Sequence, residues 1–137
     1  MTLIALAAST VLIIIAAVHL LWALGYWWPI KNETELARTV VGAKGIQNMP
    51  GAAACSLVVV ALLFAAAWPW FPESALKGFG LFIIAIIFQI RAIAAYAPMM
   101  KRITPEQPFR RLDETYFAPL CIALGIAFMV MAGHAMA

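Results

Sequence analysis

Apolar residues gather into four long runs along this chain, and polar residues gather into the stretches between them. The runs are Leu3 to Tyr26, Gly51 to Phe71, Leu76 to Pro98, and Tyr116 to Ala137, the last with Asp113 as an earlier start. Each holds about the 20 residues that a helix needs to cross the hydrocarbon core of a bilayer. Lipid-exposed strands are excluded, because an open sheet edge in hydrocarbon leaves backbone groups unpaired. The pattern therefore predicts an all-α fold, a four-transmembrane-helix bundle in a polytopic integral membrane protein. Residues 1–137 read as a single transmembrane domain, with helices at about 3–26, 51–71, 76–98 and 116–137.

Three connections remain. The first, Trp27 to Pro50, is long for a hairpin, and its stretch Asn32 to Arg38 predicts a short interfacial helix. Thr34 or Asn32 would cap it by accepting a free backbone N–H. The second, Pro72 to Ala75, is a tight turn. The third, Met99 to Leu112, carries two prolines and a cluster of charge. No internal repeat is evident, which argues against an inverted-repeat transporter fold in one chain.

Composition fits that layout. Of 137 residues, 66% are hydrophobic and 11% charged, whereas soluble domains run nearer half and a quarter. A soluble fold of this length could not bury so much apolar surface. A soluble enzyme, a disordered tail and a nucleic-acid binder are excluded, which leaves a small membrane protein with lipids as its first partners. The first run lacks a preceding basic stretch and exceeds the length of a signal-peptide core, so no cleavable signal is expected.

Charge sets the expected orientation. Lys31, Arg38 and Lys44 lie in the first connection, and Lys101, Arg102, Arg110 and Arg111 in the third. Only Lys77 lies near the tight turn, and neither terminus carries a basic residue. Cytoplasmic loops are enriched in Lys and Arg. Connections one and three are thus expected in the cytoplasm, with both termini on the non-cytoplasmic side of a cell inner membrane. Trp22, Trp27 and Trp28 would mark the inner interface, and Trp68 and Trp70 the outer one.

Polar groups at membrane depth are costly and need partners. His19 falls about two turns, or ~12 Å, inside the cytoplasmic end of the first run. Arg91 lies at a similar depth, Gln89 just deeper, and Asp113, Glu114, Tyr96 and Tyr116 close to the same level. A guanidinium stays charged, so Arg91 calls for an anion, and only Asp113 or Glu114 is placed to reach it. Three roles fit Arg91: a structural clamp between helices three and four, snorkelling to headgroups, or binding an anionic ligand.

His19, Trp22 and Tyr26 share one helix face through their i, i+3, i+7 spacing. That face reads either as a polar stripe lining an inward-open pocket or as a buried histidine bonded to a carbonyl beside interfacial aromatics. His134 lies near the opposite face, so the two histidines cannot jointly ligate a haem within one subunit. No cluster has metal-ligand spacing, and neither a metal nor a cofactor is expected. Cys55 and Cys121 lie at similar depth without a C-x-x-C and read as small hydrophobes. No acid occupies the middle of a run, which counts against a proton-coupled exporter. Gly51 to Ala54, Ala65 to Ala67, Gly78, Gly80, Ala123, Gly125 and Ala127 suit close helix packing. Pro119 lacks a backbone donor, so it should kink or delay the fourth helix and leave carbonyls free at the polar level.

The segments His19-Leu20-Leu21-Trp22-Ala23-Leu24-Gly25, Arg91-Ala92-Ile93 with Tyr96, Phe109-Arg110-Arg111-Leu112-Asp113, and Tyr116-Phe117-Ala118-Pro119-Leu120-Cys121 carry a resemblance. In order, and over nearly the whole chain, they resemble a bacterial four-helix integral membrane family catalogued as a domain of unknown function (family 3995). The resemblance implies that His19, Trp22, Arg91, Asp113 and Tyr116 form one constellation, and it brings no reaction with it. Lys44 to Pro50 is similar, more weakly, to a region of the glutathione-using eicosanoid-metabolism membrane family, with Gln47 where that family has glutamate.

The expectation is a cytoplasmic-side pocket walled by His19, Trp22, Gln89, Arg91, Asp113 and Tyr116. It would bind the polar head of a lipid-like or quinone-like amphiphile. Two alternatives stand beside it. One is a membrane-embedded enzyme acting on a lipophilic substrate, with His19 and Asp113 as acid and base. The other is a small-molecule transporter, which would need a homo-oligomer because four short helices enclose little path.

Overall fold

The computed structural model describes residues 1–137 and contains helices and turns without strands. The helices are α1 (Thr2–Ala23), α2 (Glu33–Val40), α3 (Ala52–Ala67), α4 (Ala75–Tyr96), α5 (Pro98–Ile103), α6 (Phe109–Leu112) and α7 (Ala118–Met136). A 3-10 turn, Trp68–Trp70, extends α3, and a π turn, Asp113–Phe117, joins α6 to α7. Four spans are long and apolar enough to cross a membrane: Thr2–Ala23, Ala52–Trp70, Ala75–Tyr96 and Phe109–Met136.

Several helix ends differ from the sequence reading, each for a local reason. The first helix stops at Ala23 rather than near Tyr26. Gly25 adopts φ +86, its N–H bonds to Trp22 C=O, and Tyr26 N–H bonds to Leu21 C=O. This paired closure satisfies the last carbonyls of a helix and needs a left-handed residue, which glycine supplies without strain. His19 consequently stands only about one turn, ~6 Å, from the helix end. The interfacial helix α2 is capped by Asn32, whose Oδ1 accepts from Glu35 N–H at 3.0 Å. Thr34 instead donates its hydroxyl to Gln47 C=O at 2.8 Å. Helix α4 ends at Tyr96 because Ala97 precedes a proline and is extended, as steric contact with a proline ring demands. The fourth span begins at Phe109, ahead of both Asp113 and Tyr116, because α6 and the π turn run continuously into α7.

The helices pack in two pairs, α1 on α3 and α4 on α7, which meet mainly through α1 and α7. Their common core is rich in alanine: Ala5, Ala8, Ala65, Ala66, Ala85 and Ala132 surround Leu12, Leu81 and Phe128. Small side chains let backbones approach, and close van der Waals packing is what holds helices together where lipid is as apolar as the core. Helices α3 and α4 stand apart, and a groove of about 660 Å³ with apolar walls runs between them.

The two ends are tied differently. At the basic end, connections one and three bond to each other. Lys44 N–H meets Ile103 C=O at 3.0 Å and Glu106 N–H meets Gly42 C=O at 3.1 Å. Glu106 also accepts from Gly45 N–H at 3.3 Å and pairs with Arg38 at 3.3 Å. Gly42 has φ +68, and a Cβ there would overlap the Phe109 ring. Trp22, Leu36, Ala37, Met49 and Cys55 form a second small core beneath this cap.

Both termini and the tight turn share the other end, where Met1, Trp70, Glu73, Lys77 and His134 line a cavity of about 380 Å³. The two tryptophans expected as an aromatic belt here are bonded into the bundle. Trp70 Nε1 donates to Ser9 Oγ at 2.9 Å, and Ser9 Oγ donates to Ala66 C=O at 2.7 Å. Trp68 Nε1 donates to Lys77 C=O at 3.0 Å. An indole N–H turned away from water needs an acceptor, and the bundle provides one.

Candidate functional site

At the basic end one carboxylate is gripped by two guanidinium groups. Asp113, 2% exposed, accepts from Arg91 Nη2 through Oδ1 at 2.7 Å and from Arg110 Nη2 through Oδ2 at 2.8 Å. Arg91 comes from α4, Arg110 from α6 and Asp113 from the π turn, so this one side chain ties three elements.

Arg110 is itself buried. Its Nη2 also donates to Ala95 C=O at 2.7 Å, and its Nη1 donates to Thr104 Oγ1 at 3.0 Å. Ala95 lies in the last turn of α4, where carbonyls have no partner within the helix, so Arg110 closes that helix end. Arg110 Nε makes no hydrogen bond and faces Glu114 Oε1 at 3.5 Å. Glu114 Oε1 also meets Lys101 Nζ at 3.4 Å.

The π turn supplies one further contact. Ala118 N–H bonds to Asp113 C=O, five residues back. In that register the donor for Glu114 C=O would be Pro119, which has no N–H. Tyr96 fills the position, its hydroxyl donating to Glu114 C=O at 2.7 Å. The free carbonyl expected from Pro119 is therefore present, and a side chain from α4 occupies it.

Charge across the network is unbalanced. Arg91, Arg110 and Lys101 bring three positive charges against the two negative charges of Asp113 and Glu114, which leaves one positive charge. Arg91 and Lys101 carry the exposed share, with 43% and 50% of their side chains accessible. Arg91 donates one N–H to the protein, and a guanidinium has five.

The other sequence-predicted residues are placed elsewhere. His19 Nδ1 donates to Ile15 C=O at 2.8 Å, within its own helix, and its ring packs on Trp22 at 4.8 Å between centroids. Trp22 is buried and donates to Trp28 C=O at 2.8 Å. Gln89 Nε2 reaches Ile122 C=O at 3.5 Å, crossing Gly125, where a Cβ would come within 2.5 Å of it. Tyr116 is 63% exposed and forms no side-chain hydrogen bond. The structure thus joins Arg91 to Asp113, but no hydrogen bond or ion pair links His19, Trp22, Gln89 or Tyr116 to them.

Arg110 was absent from the sequence-level site, where it counted as one loop charge among four. Its signal was the i, i+3 and i, i+4 spacing to Asp113 and Glu114, which puts all three on one helix face. No group of three or more His, Cys, Asp and Glu side chains is gathered as metal ligands would be, and both cysteines are free thiols.

Comparison with known sequences places this geometry in a wider set. The model of a family described as "Protein of unknown function (DUF3995)" matches residues 12–128. That stretch takes in α2 to α6, the π turn, the second half of α1 and the first half of α7, and with them all members of the charge network. Among curated proteins and among solved structures, nothing matches the chain.

Proposed function

For this chain, which belongs to the family of proteins of unknown function DUF3995, we propose a role in binding the polar head of a lipid-like or quinone-like amphiphile at Arg91. The observation that carries the reading is the state of that side chain. Asp113 fixes Arg91 through a single N–H, while 43% of the side chain stays accessible within a candidate membrane span. The fork of a guanidinium matches carboxylate and phosphate oxygens in pairs, and the surplus positive charge of the network favours an anion.

The basic end, by the same proposal, faces the cytoplasm of a cell inner membrane, and both termini lie on the other side. The distribution of Lys and Arg supports this. A reporter that is active only outside the cytoplasm, fused after Ala137, should be active. Asp113 commits both oxygens to guanidinium groups and His19 commits Nδ1 to Ile15. The arrangement therefore favours charge fixation over proton transfer between those two residues.

The test is native mass spectrometry of protein purified in mild detergent. Wild type should carry a co-purifying anionic amphiphile and Arg91→Ala should lose it. Equal occupancy in the two proteins refutes the proposal.

A further inference from the structure

A cleft of about 570 Å³ opens at the basic end of the fourth span, lined by Gln107, Pro108, Arg110, Arg111, Glu114 and Thr115. Arg111 and Thr115 are exposed and stand at i and i+4, on one helix face. Neither side chain is engaged within the chain. The Arg111 guanidinium makes no hydrogen bond and no ion pair, and only its backbone N–H is held, by Gln107 Oε1 at 3.1 Å. The Thr115 hydroxyl is unbonded. Glu114, the one acid in the cleft, is already placed between Lys101 Nζ at 3.4 Å and Arg110 Nε at 3.5 Å. The charge of Arg111 is therefore uncompensated and located on a free, exposed side chain.

Depth along the span gives these groups their level in a bilayer. From Thr115 to Met136 the helix rises ~32 Å at 1.5 Å per residue, which matches a hydrocarbon core of ~30 Å. Thr115 then lies at the edge of the hydrocarbon, and Arg111 ~6 Å outside it. The headgroup layer on each side is ~5–8 Å thick. Pro119 follows Thr115 by four residues, about one turn. Pro119, Ala123, Ile126 and Val130 are all exposed, and their i, i+4, i+7, i+11 spacing forms one apolar strip on α7.

We propose that this face seats a glycerophospholipid whose headgroup carries one net negative charge, as phosphatidylglycerol does. Arg111 pairs with the phosphate, Thr115 donates to an ester carbonyl, and an acyl chain lies along the strip from Pro119 to Val130. The order of chemistry down the helix, cation, hydroxyl donor, apolar strip, is the order of phosphate, ester and chain in such a lipid. A guanidinium binds phosphate oxygens in pairs. An amine-bearing head finds no free carboxylate, because Glu114 is engaged, whereas the amide N–H groups of Gln107 suit a hydroxyl-bearing one. The site is separate from the Arg91 reading, since no hydrogen bond or ion pair joins Arg111 to Arg91 or Asp113.

The experiment titrates delipidated protein in mild detergent with phosphatidylglycerol and reads the first binding constant by native mass spectrometry. Wild type should prefer phosphatidylglycerol to phosphatidylethanolamine. Arg111→Gln should weaken phosphatidylglycerol by about tenfold or more, the loss of a charge-assisted hydrogen bond, and Arg111→Lys by less. Thr115→Val should weaken it by about twofold to tenfold, the net worth of a neutral hydrogen bond. Arg102→Gln removes an exposed charge from the same end but outside the cleft, and should change it less than about twofold. All these positions are exposed, so the variants keep the buried network.

An Arg102→Gln loss as large as that of Arg111→Gln overturns the proposal, because general attraction of a basic surface then accounts for the binding. Equal affinity of wild type and Arg111→Gln also overturns it. Equal binding of phosphatidylethanolamine through Arg111 overturns the anionic-head assignment. Inorganic phosphate alone should not bind; binding of it that Arg111→Gln removes overturns the lipid assignment in favour of a soluble phosphate group.

Discussion

Replacing Asp113 by asparagine removes the one negative charge shared by Arg91 and Arg110 while keeping the shape of the side chain. The two ion pairs differ in surroundings, so their losses differ in size. Arg110 and Asp113 have side chains 9% and 3% exposed. Removing one partner from a buried pair costs about 3–5 kcal/mol, because the other charge is left without compensation. Asparagine keeps one acceptor for a hydrogen bond from a guanidinium, weaker than the ion pair it replaces, and Ala95 C=O and Thr104 still receive Arg110. A cost of about 2–4 kcal/mol follows for Asp113→Asn. Without Arg91, Asp113 still pairs with Arg110, so no buried charge is stranded. Arg91→Gln should therefore cost less than Asp113→Asn, about 1–2 kcal/mol for one lost charged hydrogen bond. Equilibrium unfolding in mixed micelles of mild detergent and dodecyl sulfate reads both values. The double variant Asp113→Asn with Arg110→Gln should cost less than the sum of the two single changes, since each already breaks the same contact. An Arg91→Gln variant as destabilised as Asp113→Asn, or additivity in the double variant, would refute the division of labour between the two arginines.

Tyr96→Phe should cost about 1 kcal/mol by orphaning Glu114 C=O, and the same change in a Pro119→Ala background should cost less, because residue 119 then has an N–H to offer; unfolding of the four proteins gives the coupling. Ser9→Ala removes both the acceptor of Trp70 and the donor to Ala66 C=O, and should lower stability by about 1–3 kcal/mol and change the fluorescence of Trp70. Gly42→Ala and Gly45→Ala both force an L-residue into a left-handed backbone, a cost of about 1–2 kcal/mol. Gly42→Ala should be the worse of the two, because its methyl meets Phe109 while that of Gly45 meets open space; equal melting temperatures would contradict this.

The four spans were legible because they are set by one strong quantity, the length of an unbroken apolar run. The short helix α2 and its Asn32 cap were legible for a different reason, since capping chemistry is local. The Arg91–Asp113 pair was legible by elimination, because a charge in hydrocarbon has few partners to choose from. Arg110 was not. Its neighbour Arg111 is exposed, and a count of loop charges treats the two alike. What separates them is that the fourth span starts at Phe109, which turns Arg110 inward toward Asp113. The π turn was out of reach for the same reason: it shows only when the register of Pro119 against Asp113 and Glu114 is known. Ser9 and the indoles of Trp68 and Trp70 escaped notice because a hydroxyl or an indole N–H at membrane depth can bond within its own helix or across to another, and the sequence does not say which.

The pairing of α1 with α3 and of α4 with α7 has a consequence for how the chain enters a membrane. Polar bonds between side chains inside the spans close within one pair: Ser9 with Ala66 and Trp70, and Arg91 and Arg110 with Asp113. Bonds that cross between the pairs lie at the ends, at Trp68 with Lys77 and at Lys44 and Glu106 with the opposite connection. A chain made from its N-terminus completes the first pair before α4 has been synthesised. Ser9 thus finds its acceptor without waiting for the second half, and Arg91 finds its carboxylate in the very next span. Insertion hairpin by hairpin leaves no charged or hydroxyl group stranded in lipid until a distant helix arrives, and it is the order of pairing along the chain that makes this so.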